Sequence, residues 1–186
     1  MLASTSPQRR AILEQLRIAF EVVAPTYDET TLRGVCPTEL VRAHAEGKAR
    51  SAYRDGRFTI GVDTAVHVGD LVFGKPASAT DAASMLRRLS GTTHTVVSAI
   101  CLLGPGVEAV EHDATTVVFR ALSEEEIRSY LDSGEWRERA GGYAIQGLGG
   151  RLVMRVEGDY LNVVGLPAAL LVTLLGRFAP DLLEIS

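Results

Sequence analysis

The sequence predicts an α/β fold built on a mixed β-sheet. Two observations predict it, and a third excludes the standard phosphate loops. Apolar stripes at helical spacing alternate with β-branched runs such as THTVVSAICLL and AVEHDATTVVF. Several strand pairs are joined by short turns, which calls for antiparallel pairs in the same sheet as crossovers. No GxGxxG follows a strand and no GxxxxGK[ST] is present, so neither standard phosphate loop applies.

The elements follow in order. MLAS reads as a short first strand. Ser6 and Pro7 open a helix, with Ser at the N-cap and Pro at the first helical position. Ile12, Leu13 and Leu16 give that helix its apolar stripe. FEVVAP reads as a strand, and TYDETTLRGVC as a loop. Pro37 starts a second helix that runs to about Arg54 and is closed by Asp55-Gly56. FTIGV is a short buried strand, AVHVGDLVF a hairpin turning at Gly69-Asp70, and GKPASA a loop. Asp81 to Leu89 form a third helix, stopped at Ser90-Gly91, and the two long β runs then meet at the turn GPG. Ser123 and Glu126 make a capping box for the helix in LSEEEIRSYLDSG. GGYAIQGLGG reads as a flexible loop, RLVMRVEG as a strand, and Pro167 to Gly176 as a final apolar helix.

Composition narrows the function. The 186 residues suit one domain over 1–186, or two closely joined lobes, and 46% apolar content is enough for a real core. The net charge of −4 comes without a basic stripe, so nucleic acid is not expected as a partner. No stretch approaches the ~20 apolar residues of a membrane span. No charged leader precedes an apolar run, and Cys36 and Cys101 lack metal-ligand spacing. The expectation is a cytoplasmic protein with two free thiols. HxH, HExxH and GxSxG are missing and neither cysteine has a basic setting, which leaves acid–base or metal-assisted chemistry on a phosphate.

Four stretches could carry that chemistry. In STSPQRR, a helix start with unpaired N–H groups adjoins the hydroxyls of Ser4, Thr5 and Ser6 and the cations Arg9 and Arg10. This suits an oligophosphate, although a capped helix with solvated arginines is the competing reading. Arg9 shares a face with Ile12, Leu13 and Leu16, so it is not simply an outward residue. In the second helix Leu40, Val41, His44, Ala45, Lys48, Ala49 and Ala52 form one stripe. Lys48 therefore points inward, where it needs an anion unless its ammonium snorkels out; His44 reads as a packing residue. Asp63 follows a buried strand, at the strand end where α/β proteins place sites, with Thr64 next to it. Lys75 follows the hairpin, which could fold it back near Asp63. A carboxylate flanked by two lysines can hold a divalent metal or activate water, or it can be a structural ion pair. Finally, Gln146 in the glycine-rich loop offers both donor and acceptor, as reading a base edge requires; a mobile surface loop is the alternative.

These stretches have a family likeness. LASTSPQRRAIL, EGKA, GVDTAV, GKP, MLRRLSG, AGGYAIQGLGG and EGDYLNVVGLP, in this order, resemble the Maf family of nucleotide pyrophosphatases over essentially the whole chain. The resemblance implies a fold similar to the inosine-triphosphate pyrophosphatases, α/β with an elongated mixed β-sheet flanked by helices and a cleft between two lobes. It implies hydrolysis of a nucleoside triphosphate to the monophosphate and pyrophosphate with a divalent cation, Mg2+ or Mn2+. Members look like house-cleaning enzymes for dTTP, UTP or modified nucleotides; some are linked to septum formation, and homodimers occur among them. Asp63 matches the family's proton acceptor, Lys48 and Lys75 its two lysines, and Ser4, Ser6 and Arg9 its phosphate-binding motif. Arg10 completes the arginine pair, and Glu29 matches an acidic position that assists metal or water. Gln8, Thr64 and Gln146 fall at positions tied to base selection, where Thr64 and Gln146 fit the dTTP/UTP branch. Two departures stand out. Gln8 follows Pro7 where that branch has arginine, displacing the pair by one residue. Gly47 stands where the family usually has Glu, and glycine inside a helix costs roughly 1 kcal/mol against alanine. Two other readings stay open: a non-catalytic nucleotide-sensing regulator of cell division, and a pyrophosphatase for inosine or xanthosine triphosphate.

Overall fold

In the computed structural model, which describes residues 1–29 and 35–184, the chain enters the sheet at once. β1 (Leu2–Ala3) is fully buried and pairs in parallel with a strand on each side. α1 (Pro7–Gln15) follows, burying Ile12 and Leu13, and leads to β2 (Val22–Val23), where Val22 lies opposite Leu2. α2 (Pro37–Ala52) then carries the chain to the other side of β1. There β3 (Thr59–Val68) sets Gly61 opposite Ala3. The order β2-β1-β3 thus reverses direction at β1. Right-handed crossovers leaving a strand to opposite sides place their helices on opposite faces of the sheet. Open α/β sheets bind ligands beyond the carboxyl ends of their strands at such a reversal.

α2 buries Val41, His44, Ala45, Lys48, Ala49 and Ala52, the face that its spacing predicts. Its small residues meet a glycine. A Cβ on Gly61 would lie 2.6 Å from Ala49 N and 2.8 Å from Ala49 Cβ, so only glycine lets the helix rest on the strand backbone this closely.

Beyond β3 come β4 (Leu71–Phe73), α3 (Ala79–Leu89), β5 (Thr93–Gly104) and β6 (Val107–Phe119). α4 (Glu124–Asp132), β7 (Val153–Glu157), α5 (Tyr160–Val164) and α6 (Ala168–Phe178) complete the chain. The sheet has seven strands in the order β2-β1-β3-β5-β6-β7, with β4 paired to β3. β3–β4 and β6–β7 are antiparallel while β1 pairs in parallel, so the sheet is mixed, as expected. β5 and β6 join through Pro105-Gly106, where Gly106 takes a φ of +70°.

The chain forms two compact units. The first comprises Met1–Thr64, Ser98–Asp113 and the chain from Gly165 onward; the second comprises Ala65–Val97 and Ala114–Val164. Leu2, Leu13, Val41, Ile100, Leu102, Leu171 and Leu175 are buried in the first. The second has a core of Phe73, Leu86, Val117, Phe119, Trp136 and Tyr143 with their apolar neighbours. Among the described residues, no helix is long and apolar enough to cross a membrane.

Four features differ from the expectation. FTIGV and AVHV form one continuous strand, β3, because Asp63 and Thr64 are satisfied by side-chain partners and do not end it. α3 starts at Ala79 rather than Asp81, because Ser78 Oγ accepts from the Asp81 N–H at 3.1 Å while the Asp81 carboxylate accepts from the Ala77 N–H at 3.0 Å. The glycine-rich segment is not a loose loop. It runs through short 3₁₀ turns at Ala140–Gly142 and Leu148–Leu152 and buries Tyr143, Ala144 and Ile145 between them. α5 has no counterpart in the sequence reading. Residues 30–34 of the expected loop TYDETTLRGVC lie outside the described residues.

Candidate active site

The first unit gathers most of the predicted side chains where β1 stops. Ser4, the first residue past β1, is buried, and its Oγ accepts from the Ser6 N–H at 3.2 Å and from Arg9 Nη1 at 3.3 Å. Ser6 occupies the N-cap of α1, as expected, but its hydroxyl makes no cap bond. It donates instead to Gln8 Oε1 at 3.2 Å. The first turn of α1 therefore has no side-chain cap and no acidic residue, which leaves the helix N-terminus attractive to an anion.

Arg9 lies on the inner face of α1 and is held on three sides. Its Nε donates to the Gly165 carbonyl at 2.9 Å, its Nη1 to Ser4 Oγ, and its Nη2 to Thr64 Oγ1 at 3.1 Å. A guanidinium has five N–H groups, so two are left for a ligand among the described residues. Thr64 Oγ1 also meets Ser98 Oγ at 2.8 Å and the Gly165 carbonyl at 3.3 Å. Burial pulls the Arg9 guanidinium below its ordinary pKa, while the Asp63 and Glu29 carboxylates act in the opposite direction. The group stays charged at neutral pH.

Lys48 comes from α2 and meets two carboxylates. Its Nζ donates to Asp63 Oδ1 at 2.6 Å and pairs with Glu29 Oε1 at 2.7 Å. The Lys48 and Asp63 side chains are 7% and 12% exposed, against 49% for Glu29. The inward lysine thus has the anion its position demands, and it does not snorkel to solvent. Asp63 does not end its strand, as the sequence suggested. It lies inside β3, two residues beyond the last pairing with β1, so the stopping of β1 is what opens space beside it.

Three predicted residues are not among these contacts. Arg10 points away from this cluster and pairs with Glu14 at 2.8 Å on the exposed face of α1. Lys75 belongs to the second unit, where it is exposed and pairs with Glu138 at 3.1 Å. Gln146 also belongs to the second unit and is exposed between the 3₁₀ turns.

Comparison with known proteins bears on what this cluster is. The family model described as "Maf: Maf-like protein" matches residues 1–178. The chain belongs to the Maf family. It is 46% identical over 181 residues to a dTTP/UTP pyrophosphatase of Nitratidesulfovibrio vulgaris, covering 95% of this chain and 86% of the relative. A dTTP/UTP pyrophosphatase of Alcanivorax borkumensis is 44% identical over 178 residues, covering 94% and 92% of the two chains. One of Aquifex aeolicus is 43% identical over 169 residues, covering 90% and 88%.

In this Maf protein two partners of the site went unseen in the sequence. Ser98 is a buried hydroxyl inside a β-branched run, and Gly165 acts through its carbonyl, which any residue type could supply. In the sequence Ser98 is one residue of the β run THTVVSAICLL, and Gly165 one residue of the segment EGDYLNVVGLP. The donor set also fits a hard divalent cation. Asp63 and Glu29 converge on one ammonium, and Mg2+ is usually held by one or two carboxylates together with substrate phosphates. Among the described residues no group of three or more His, Cys, Asp or Glu forms a protein-only cage, so the pair is the donor set to consider.

Proposed function

We propose that this chain hydrolyses nucleoside triphosphates, dTTP and UTP first among them, to the monophosphate and pyrophosphate. The observation that carries the reading is the Lys48–Asp63–Glu29 cluster beside Arg9, at the strand reversal. The names of the relatives support the choice of dTTP and UTP.

The geometry suits attack of water on the α-phosphorus. Asp63 accepts the proton that water loses as its oxygen bonds phosphorus, and the bond from phosphorus to the bridging α–β oxygen breaks, releasing pyrophosphate. Lys48 holds Asp63 in place through its 2.6 Å hydrogen bond. Arg9 offers its remaining N–H groups to phosphate oxygens, with the uncapped N-terminus of α1 and the Ser4 and Ser6 hydroxyls around it. Lys75 can exchange the Glu138 carboxylate for a phosphate, since an exposed ion pair of this kind is worth little. Asp63 and Glu29 would hold a divalent cation, Mg2+ or Mn2+, which when bound offsets charge on the phosphates. Gln8, Thr64 and Gln146 are assigned to base selection. Both cysteines are free thiols, which suits a cytoplasmic enzyme.

The test is pyrophosphate release from a nucleotide panel with Mg2+, comparing wild type with Asp63→Asn. Asparagine keeps an oxygen for Lys48, and Glu29 still faces the ammonium, so the fold should survive. Turnover should fall by about a hundredfold or more. Undiminished turnover in Asp63→Asn overturns the assignment, binding without release from any nucleotide favours a sensor, and a preference for inosine or xanthosine triphosphate shifts the substrate class.

A further inference from the structure

We propose that Tyr27 is a positioning residue, seated on a glycine of α2, that holds Glu29 against Lys48. The proposal rests on the reading of the site given above and adds to it the reason why Glu29 is where it is.

Glu29 has no regular element to hold it. Residues 24–29 belong to neither helix nor strand, and the Glu29 side chain is half exposed, yet its carboxylate sits 2.7 Å from a buried ammonium. Two residues earlier the chain is pinned. The ring of Tyr27 lies over Gly47, where a Cβ would come 2.5 Å from Tyr27 Cδ2 and 2.6 Å from Cζ. Carbon atoms in ordinary contact stay about 3.5 Å or more apart, so the ring occupies space that any other residue at 47 would fill. The Tyr27 hydroxyl bonds His44 Nδ1 at 3.1 Å, and the two rings meet edge to face at 5.7 Å. His44 and Gly47 are three apart on α2 and share a face, so one side chain spans both. His44 itself is 5% exposed and fixed in the body of the unit.

Position does the rest. Gly47 immediately precedes Lys48, so the ring docks beside the ammonium's own helix turn. Residues advance at most about 3.6 Å each, so an anchor at Tyr27 keeps Glu29 within about 7 Å of it. The glycine in mid-helix thereby gains a physical account: it is the seat of the anchor.

Two readouts separate this proposal from the reading it rests on. Hydrogen exchange over residues 24–29 reads the anchor without reference to activity. Tyr27→Val and Gly47→Ala should each speed exchange there about tenfold or more while leaving the α2 amides protected. Steady-state kinetics read the consequence. Both variants should lose about tenfold in kcat with the nucleotide KM within about twofold, because a misplaced group costs the chemical step more than binding. Tyr27→Phe, which keeps the ring on Gly47, should recover most of both effects. Unchanged exchange in Tyr27→Val overturns the anchor. Faster exchange with wild-type kcat, alongside an inactive Asp63→Asn, overturns the positioning role and leaves the proposed function intact. Wild-type turnover in Asp63→Asn overturns the reading of the site and the catalytic half of this proposal, while the exchange result still decides the anchor.

Discussion

Arg9 shows how a single residue is prepared for an anion before one arrives. Its guanidinium is tied to Gly165, Ser4 and Thr64, so little side-chain freedom is left to lose on binding. Lysine cannot reproduce this, since one ammonium cannot span three fixed acceptors and a phosphate. Arg9→Lys should raise the nucleotide KM about tenfold, near 1.4 kcal/mol, with a smaller change in melting temperature; an unchanged KM in initial-rate assays would remove Arg9 from the binding site. The inward faces of Arg9 and Lys48 were legible in the sequence, because helical spacing alone places them among apolar neighbours. The partners of Arg9 were not. Gly165 lies 156 residues away and contributes a carbonyl, and Thr64 is braced by Ser98 from another strand. Nothing in the residue type announces a contact of that kind. Gly47 was visible as an anomaly, and it took the Tyr27 ring to explain it.

At the scale of elements, the site depends on how closely α2 lies on β3. Lys48 reaches Asp63 because Ala45 and Ala49 face Gly61 with no side chain between. A Gly61→Ala methyl would meet the helix backbone, which cannot yield as a flexible side chain can. Overpacking of this sort costs about 1–3 kcal/mol, and here it should also lift Lys48 from Asp63. Urea denaturation should show a lower midpoint for Gly61→Ala and initial rates a lower kcat; a normal midpoint with normal kcat would show that the helix can shift without consequence. Helix boundaries were legible where caps and prolines mark them, as in α2 and the Ser123–Glu126 capping box of α4. Strand continuity was not. A polar pair such as Asp63-Thr64 reads as a strand end until its partners are known. The glycine-rich segment misled for a related reason. Glycine suggests looseness, but the Ala144 N–H donates to the Tyr130 hydroxyl at 3.0 Å, and the Glu135 carboxylate accepts from the N–H groups of Leu148 and Gly149.

For the molecule as a whole, stability should depend on pH through one buried histidine. His94 is 2% exposed in the second unit, with Nε2 bonded to the Tyr143 hydroxyl at 2.8 Å and its ring edge-on to Phe119 and Tyr143. Its Nδ1 has no partner among the described residues, so a proton there would be buried without compensation. Burial, with a smaller contribution from His67, lowers the His94 pKa from 6.5 to about 4. The unfolded chain therefore takes up a proton between pH 6.5 and 4 that the native state refuses. Stability rises with pH wherever the unfolded state binds more protons, so it must fall as pH drops through that window and level off below about 4. At about 1.4 kcal/mol per pH unit, the full effect is on the order of 3 kcal/mol. Glu124 and Glu126 have lowered pKa values, Glu124 chiefly through Arg87 and Glu126 chiefly through the Ser123 backbone N–H, so their contributions are lost at the acid end. The range from pH 7 to 5 lies above that end, and the comparison with a variant that lacks the imidazole isolates His94. Urea unfolding followed across that range should show a falling midpoint for the wild type and a flatter profile for His94→Gln, which cannot titrate. Parallel profiles for the two would mean that the imidazole is protonated as readily in the core as in the unfolded chain, and that its unpartnered nitrogen reaches water.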